Sequence, residues 1–386
     1  MDAELNYFFD PISVGEWPTA NLWNEDTLGH QITQYKEQAV FPELKGANLA
    51  LFSVAEFRGG GKQAEGMSQS FRSQFYSLFK GEWNLEIIDL GCFKCGERLA
   101  DTYIALSYVV GKLLDQNIIP IVLSGTQDLD LGVYNAFSQK GTTINYLSLD
   151  ARFDLGVASN RGAWKSYMNT IINSEPNFLL NYIHLGFQGY LCHPDEVSLL
   201  DRLKFESVRL GALKGDIEVA EPYVRNVDFC SLDLSCVKQS DAIGVIDGSP
   251  NGFDAHEVCG LIRYVGMSDH VKILSLSGWS SEKDVNNQTS HLVAQVIWHF
   301  IEGVSLRIED EPIASSKTYT KYIVTNKEMD VDFTFYKSRR SSRWWVELPN
   351  FKQNLKRIVM PCSYQEYLST LNQELPERWF RYYNRF

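Results

Sequence analysis

The 386-residue chain is 44% hydrophobic and 13% aromatic with no low-complexity tract, so it can bury a large core, and a disordered protein is excluded. Its formal charge of −12 argues against general nucleic-acid binding, which needs a net basic footprint. No apolar run approaches the roughly 18 residues that span a bilayer, and Met1 to Tyr7 lack the regions of a secretory signal, so a cytoplasmic protein without membrane insertion is expected.

Residues 1–45 carry turn signals at Asp10-Pro11 and Trp17-Pro18 and one polar stretch, 27–39, that reads as a helix; they are taken as an N-terminal extension. Across 46–308, apolar β-rich runs at 49–54, 85–90, 118–123, 143–149, 178–185, 227–232 and 271–276 alternate with helical patterns. The clearest helix is 98–116, where Ala100, Tyr103, Ile104, Tyr108, Leu113 and Leu114 follow a helical period. Such alternation builds βαβ units and a mostly parallel sheet covered on both faces, with functional groups just beyond the carboxyl ends of the strands. Residues 124–128, 150–154 and 233–235 each follow a strand run directly, so three strands bring polar side chains to one crevice.

After residue 308 the rhythm changes, and 309–386 reads as a small appended α+β module. Strands are predicted at 318–324 and 331–336, and a last helix starts near Ser363, with Glu366 in capping-box spacing. Between them, Lys337, Arg339, Arg340 and Arg343 stand beside Trp344 and Trp345, the one concentrated basic-aromatic feature of an acidic chain. Simple packing onto the main domain and an interface with a protein partner or a second copy stand level as readings, with nucleic acid behind both.

Other features read as structural. Seven scattered cysteines suggest buried free thiols, and Cys92-x-x-Cys95 without a second pair suits a strand-to-helix turn more than zinc or redox chemistry. Gly59-Gly60-Gly61-Lys62 lacks phosphate-loop spacing and has Gln63 where Ser or Thr is required, so it reads as a glycine-rich loop at the mouth of the crevice. His184, His193 and His256 are read as structural or solvated.

The polar segments resemble, in order and spacing, the metal-binding elements of the ureohydrolase superfamily (arginase, agmatinase, formiminoglutamase). Ser124-Gly125-Thr126-Gln127-Asp128 resembles its Gly-Gly-Asp-His-Ser turn, Asp150-Ala151-Arg152-Phe153-Asp154 its Asp-Ala-His-x-Asp element, and Ser231-Leu232-Asp233-Leu234-Ser235 its Ser-x-Asp-x-Asp element. Phe71-Arg72 and Ile88-Asp89-Leu90-Gly91 resemble earlier family segments, while Ser240 to Gly244 and Ser249 to Phe253 follow the formiminoglutamase branch. The wording is most similar to a divergent arginase-like group of Bacteroidetes with a similar Arg-Trp-Trp tail, found in gliding and protein-secreting bacteria. The resemblance covers residues 45 to 305 and implies a three-layer αβα fold.

It also implies a centre in which two Mn²⁺ ions share a hydroxide. The positions matching the first ion's ligands are Gln127, Asp150, Asp154 and Asp233; those matching the second ion's are Asp150, Arg152, Asp233 and Ser235. Three of these six positions are still acidic, and three hold Gln, Arg and Ser. The remaining charge suits at most one divalent cation (Mn, Mg or Ca) at Gln127, Asp150, Asp154 and Asp233, and a metal-free polar cluster is preferred. Arg152 is expected to place its guanidinium where the second ion would lie, bridging the aspartates. Glu257 matches the family's substrate-pairing glutamate and is a candidate for binding a small basic ligand; the alternative is a pairing with Arg152 or a surface lysine. The expected function is that of a non-catalytic scaffold, regulatory or interaction subunit, a pseudoenzyme. The alternative is a hydrolase of formimino or guanidino compounds that uses Asp150, Asp154, Asp233 and Glu257 with one or no metal ion.

Overall fold

The computed structural model describes residues 2–13, 24–60, 67–156, 163–312, 318–327, 330–348 and 359–383. All seven apolar runs between residues 49 and 276 form strands of a single ten-stranded sheet. Its strands are β1 (Phe9–Asp10), β2 (Thr33–Gln34), β3 (Leu49–Val54), β4 (Ile87–Phe93), β5 (Ile119–Ser124), β6 (Ile144–Leu149), β7 (Leu179–Phe187), β8 (Glu206–Arg209), β9 (Phe229–Asp233) and β10 (Ile273–Ser277). They lie in the order β1-β4-β3-β5-β10-β9-β6-β7-β8, with β2 also paired to β4. Every pairing is parallel except β1 with β4.

Side chains alternate across each strand and supply two cores. Leu49, Leu51, Ile121 and Leu123 face the helices Met67–Ser77, Ala255–Gly266 and Gln288–Ser305. Ala50, Phe52, Val54 and Val122 face Leu99–Asp115, Asp130–Gln139, Tyr167–Ile172 and Pro194–Arg202. The result is the three-layer α/β arrangement anticipated from the alternation of runs. The helix read over 98–116 is present with nearly those bounds.

The polar stretch 27–39 is not one helix. A single helical segment, Leu28–Gln31, is followed by β2, and the Tyr35 amide donates to Asp89 O at 2.9 Å, so this backbone is satisfied at the sheet edge. Residues before 46 are also part of the core, with Leu5, Phe9, Ile12 and Leu28 buried. β8 carries no strand signal of its own, because Glu206-Ser207-Val208-Arg209 holds a single apolar residue.

The C-terminal part forms a separate antiparallel sheet of β11 (Tyr319–Asn326), β12 (Val331–Ser338), β13 (Trp344–Glu347) and β14 (Val359–Cys362), paired in chain order. Helices Tyr364–Leu371 and Glu377–Tyr383 complete it. Ser363 caps the first as its spacing suggested: its hydroxyl accepts from Glu366 N at 3.1 Å, and Glu366 Oε2 accepts from Ser363 N at 2.7 Å.

Trp344 and Trp345 are not a free surface, which corrects their reading as interface residues. Neighbours on a strand point to opposite faces, and both faces of β13 are covered. Trp344 packs among Tyr322, Tyr364 and Tyr367, whereas Trp345 lies under the Arg225 guanidinium, 4.7 Å from the ring centre. Arg343 pairs with Glu221 at 3.2 Å, leaving Arg339 and Arg340 as the exposed members of the cluster. Further contacts join this sheet to the main one: Arg378 Nε donates to Glu206 Oε2 at 2.5 Å, Asn181 Nδ2 to Tyr382 Oη at 3.1 Å, and Arg225 Nη1 to Trp344 O at 2.6 Å. Glu206 opens β8, Asn181 lies near the start of β7, and Arg225 precedes β9, so the module is docked at the amino ends of these strands.

Candidate active site

At the opposite ends of the strands, β5, β9 and β6, three members of the sheet run β5-β10-β9-β6, carry the family's ligand positions. Gln127 opens the turn after β5, Asp150 follows β6, and Asp233 closes β9; Asp154 lies four residues beyond Asp150. Gln127, Asp150, Asp154, Asp233 and Ser235 are all buried and in one cluster. Asp154 takes a left-handed backbone conformation, φ 51°, which aspartate tolerates better than most residues and which occurs in strained functional loops.

The chain's own donors hold these carboxylates. Asp150 Oδ1 accepts from Ser235 Oγ at 2.6 Å and from Arg152 N at 3.1 Å. Asp233 Oδ1 accepts from Ser235 N at 2.7 Å. The Gln127 amide is satisfied when its nitrogen donates to Asp150 Oδ2 and Asp154 Oδ2, each at 3.1 Å, and its oxygen accepts from Ser231 Oγ at 2.9 Å. Facing the carboxylates with its N–H groups, Gln127 acts as a donor to them where a metal ligand would have to accept.

Arg152 does not bridge the aspartates, contrary to expectation. Its Nη1 pairs with Asp247 Oδ2 at 2.8 Å, a partner from the loop after β9 that the motif comparison left out. The cation that enters the centre is Lys165, on the short turn Ala163–Lys165. Only 4% of its side chain is exposed, and its Nζ lies 3.5 Å from Asp154 Oδ1 and 4.2 Å from the Trp164 ring centre. Burial works against this charge, but Asp154, Asp150 and Asp233 together outweigh it and raise the ammonium pKa. Asp154 is pushed well above the usual carboxylate range, by burial first and by the charges of Asp150 and Asp233, although Lys165 opposes the shift. Asp233 is raised by burial and by Asp150. Sequence reasoning missed Lys165 because it belongs to no motif; the one available signal was the negative charge left over once the family ligands had been counted.

Packing fixes Asp233 from behind. A Cβ on Gly278, which has φ +90°, would lie 2.4 Å from Asp233 Oδ1, so the strand end after β10 admits only glycine beside this carboxylate. His184 is buried in the same region, its Nε2 3.0 Å from Asp150 O and its Nδ1 2.8 Å from Tyr182 Oη, and burial lowers its pKa to about 3. A neutral ring between two fixed partners braces the Asp150 backbone. His193 caps the helix Pro194–Arg202, and His256 is exposed.

Glu257 is placed in the capping box of helix Ala255–Gly266, where Oε2 accepts from Asp254 N at 2.8 Å and pairs with Lys214 at 2.7 Å. Its contacts are thus with a lysine and not with the aspartate cluster. Gly59 and Gly60 pack against Asp128 and against Thr126 and Trp164, next to the cluster; Gly61 and Lys62 lie outside the described residues. Cys92 is half-buried and Cys95 exposed, and all seven cysteines are free thiols.

The donor set does not fit a pair of manganese ions. One ligand position offers N–H groups, another pairs elsewhere, a third is a hydroxyl donating to Asp150, and an ammonium stands beside Asp154. Among the described residues, no group of three or more His, Cys, Asp or Glu side chains is disposed to hold a metal ion.

A mostly parallel sheet between two helical layers, with three carboxylates gathered at neighbouring strand ends, defines an α/β fold built around a buried polar centre. The arginase family model matches residues 58–302, and the chain belongs to that family. The fold is similar to that of formimidoylglutamase from Bacillus subtilis (TM-score 0.65, 16% identity, covering 76% of this chain and 96% of that one). It is also similar to Trypanosoma cruzi formiminoglutamase solved with Mn²⁺ (TM-score 0.61, 17% identity, 69% and 97%) and to the agmatine ureohydrolase of Thermoplasma volcanium (TM-score 0.57, 18% identity, 68% and 91%). No curated protein matches the sequence. Among the described residues no helix is long and apolar enough to cross a membrane.

Proposed function

We propose that this chain is a non-catalytic member of the arginase family that serves as a scaffold, regulatory or interaction subunit of a bacterial cytoplasmic assembly. The observation that carries this reading is the engagement of all three retained carboxylates by groups of the chain itself: Ser235, Gln127, the Arg152 amide and Lys165. Hydrolysis of the family type needs hydroxide at neutral pH, formed by bringing the pKa of metal-bound water from about 15.7 toward 7. A centre without that ion forfeits the shift, and each ~1.4 kcal/mol of lost transition-state stabilisation is about tenfold in rate. Three further features support a role in binding rather than turnover: the appended residues 309–386, their exposed Arg339 and Arg340, and Glu257 held by Lys214.

The test is direct. Purified protein incubated with Mn²⁺ and arginine, agmatine, guanidinobutyrate or formiminoglutamate is expected to release neither urea nor formamide, while a stoichiometric protein partner is recovered in pull-down. Clear turnover of any of the four would overturn the reading in favour of a hydrolase using Asp150, Asp154 and Asp233.

A further inference from the structure

Lys165 carries a more specific conclusion, one that rests on the reading of a non-catalytic centre. An ammonium is a compact point charge that is costly to bury unless anions surround it, and three buried carboxylates are equally costly without a cation. In this protein each solves the other's problem. Lys165 is held in place by its turn and by Trp164, whose ring lies 4.2 Å below Nζ and which itself packs over Gly60. The ammonium stands 3.5 Å from Asp154, at a position whose family counterpart binds the first ion, and its charge acts on Asp150 and Asp233 as well.

We propose that Lys165 is a tethered stand-in for the first metal ion: its ammonium and a divalent cation compete for Asp150, Asp154 and Asp233, and the lysine excludes the ion. Being part of the chain, the ammonium is present at an effective concentration that a free ion at cellular levels does not match. Removing the ammonium would leave the three carboxylates without a cation, and on this proposal a single divalent ion of the kind that takes hard oxygen donors then draws them together in its place.

The experiment measures Mn²⁺ binding by titration calorimetry and by thermal melting with and without Mn²⁺. It compares the full-length protein with Lys165→Ala, Lys165→Met, Lys165→Arg and the double variant Lys165→Ala with Asp154→Asn. Lys165→Ala and Lys165→Met are each expected to gain one equivalent of Mn²⁺, bound at least about tenfold more tightly than by the unaltered chain, with a melting temperature that rises on adding the ion. Lys165→Arg keeps the charge and should gain nothing, and Asp154→Asn should remove the gain. A Lys165→Ala protein that folds only when Mn²⁺ is supplied supports the proposal equally. The proposal is overturned if the unaltered chain already binds Mn²⁺ as tightly as Lys165→Ala. It is also overturned if neither the alanine nor the methionine variant gains binding, folded or not. These outcomes are separate from the turnover assay: tight Mn²⁺ binding without product would sink the stand-in and leave the non-catalytic reading intact.

Discussion

A single buried lysine changes what the charges in this centre mean. The three carboxylates were legible in the sequence because each follows a strand end at family spacing, and the strands themselves were easy to read. Their counter-ion was not, since Lys165 arrives from a loop with no motif and Arg152 had the more suggestive position. Arg152 is drawn off by Asp247, a pairing that depends on how one loop folds over another and leaves no local trace. Asp130 offers a separate test of buried charge. It is fully buried, accepts from Tyr146 Oη at 2.9 Å, and has its pKa raised to about 7, chiefly by burial. Because the folded value exceeds the unfolded one of about 3.9, the folded state holds this proton more tightly. The associated stability is complete below about pH 4 and is lost as pH rises through 7. Asp130→Asn should therefore match the parent near pH 4 and exceed it above pH 7, by at most about 4 kcal/mol, since each tenfold difference in proton affinity is worth ~1.4 kcal/mol. Denaturant melts at the two pH values check this, and an unchanged pH profile would reassign the proton.

Among the elements, the strands of the main sheet were the most legible because parallel strands buried on both faces read as continuous apolar runs. Short edge pieces were not: β2 and β8 hold one apolar residue between them, and their place is fixed by hydrogen bonds to neighbours rather than by their own pattern. The same explains the 27–39 stretch, where helical composition lost to pairing along the sheet edge. The Ser363 cap was visible because capping is local, confined to four consecutive residues and independent of the rest of the fold. Ser363→Ala removes the acceptor for Glu366 N and is expected to cost about 1 kcal/mol. Equilibrium unfolding measures it, and no loss would mean that packing of Tyr364 and Tyr367 on Trp344 fixes that helix without its cap. Composition marked Trp344 and Trp345 as special but could not say which way they point, since that depends on the partners of β13.

At the scale of the whole molecule, the two ends of the main sheet have separate occupants. Polar chemistry gathers at the carboxyl ends of β5, β6 and β9, while the C-terminal module is fastened at the amino ends of β7 and β8. A partner engaged by Arg339 and Arg340 would be held away from the aspartate cluster. The fastening itself depends on a buried ion pair, Arg378 with Glu206, each less than 10% exposed. Removing one member of such a pair strands the other charge, so Arg378→Ala should destabilise the protein by about 3–5 kcal/mol and leave the module open to proteolysis. Limited digestion followed by mass analysis would show the C-terminal module cut faster than in the parent if this is right. A variant as resistant as the parent would mean that the Arg225–Trp344 and Asn181–Tyr382 bonds suffice.

The close seating of Gly278 against Asp233 also bears on which substitutions this interior can accept. A larger residue at 278 cannot be accepted while the aspartate stays in place, because its Cβ would lie 2.4 Å from Asp233 Oδ1. A side chain at 278 is opposed twice, by the aspartate oxygens and by the left-handed backbone, φ +90°, so relieving the first would leave the second. Persistence of Gly278 through a lineage would record backbone shape and close packing in the interior, and would be no witness to a reaction.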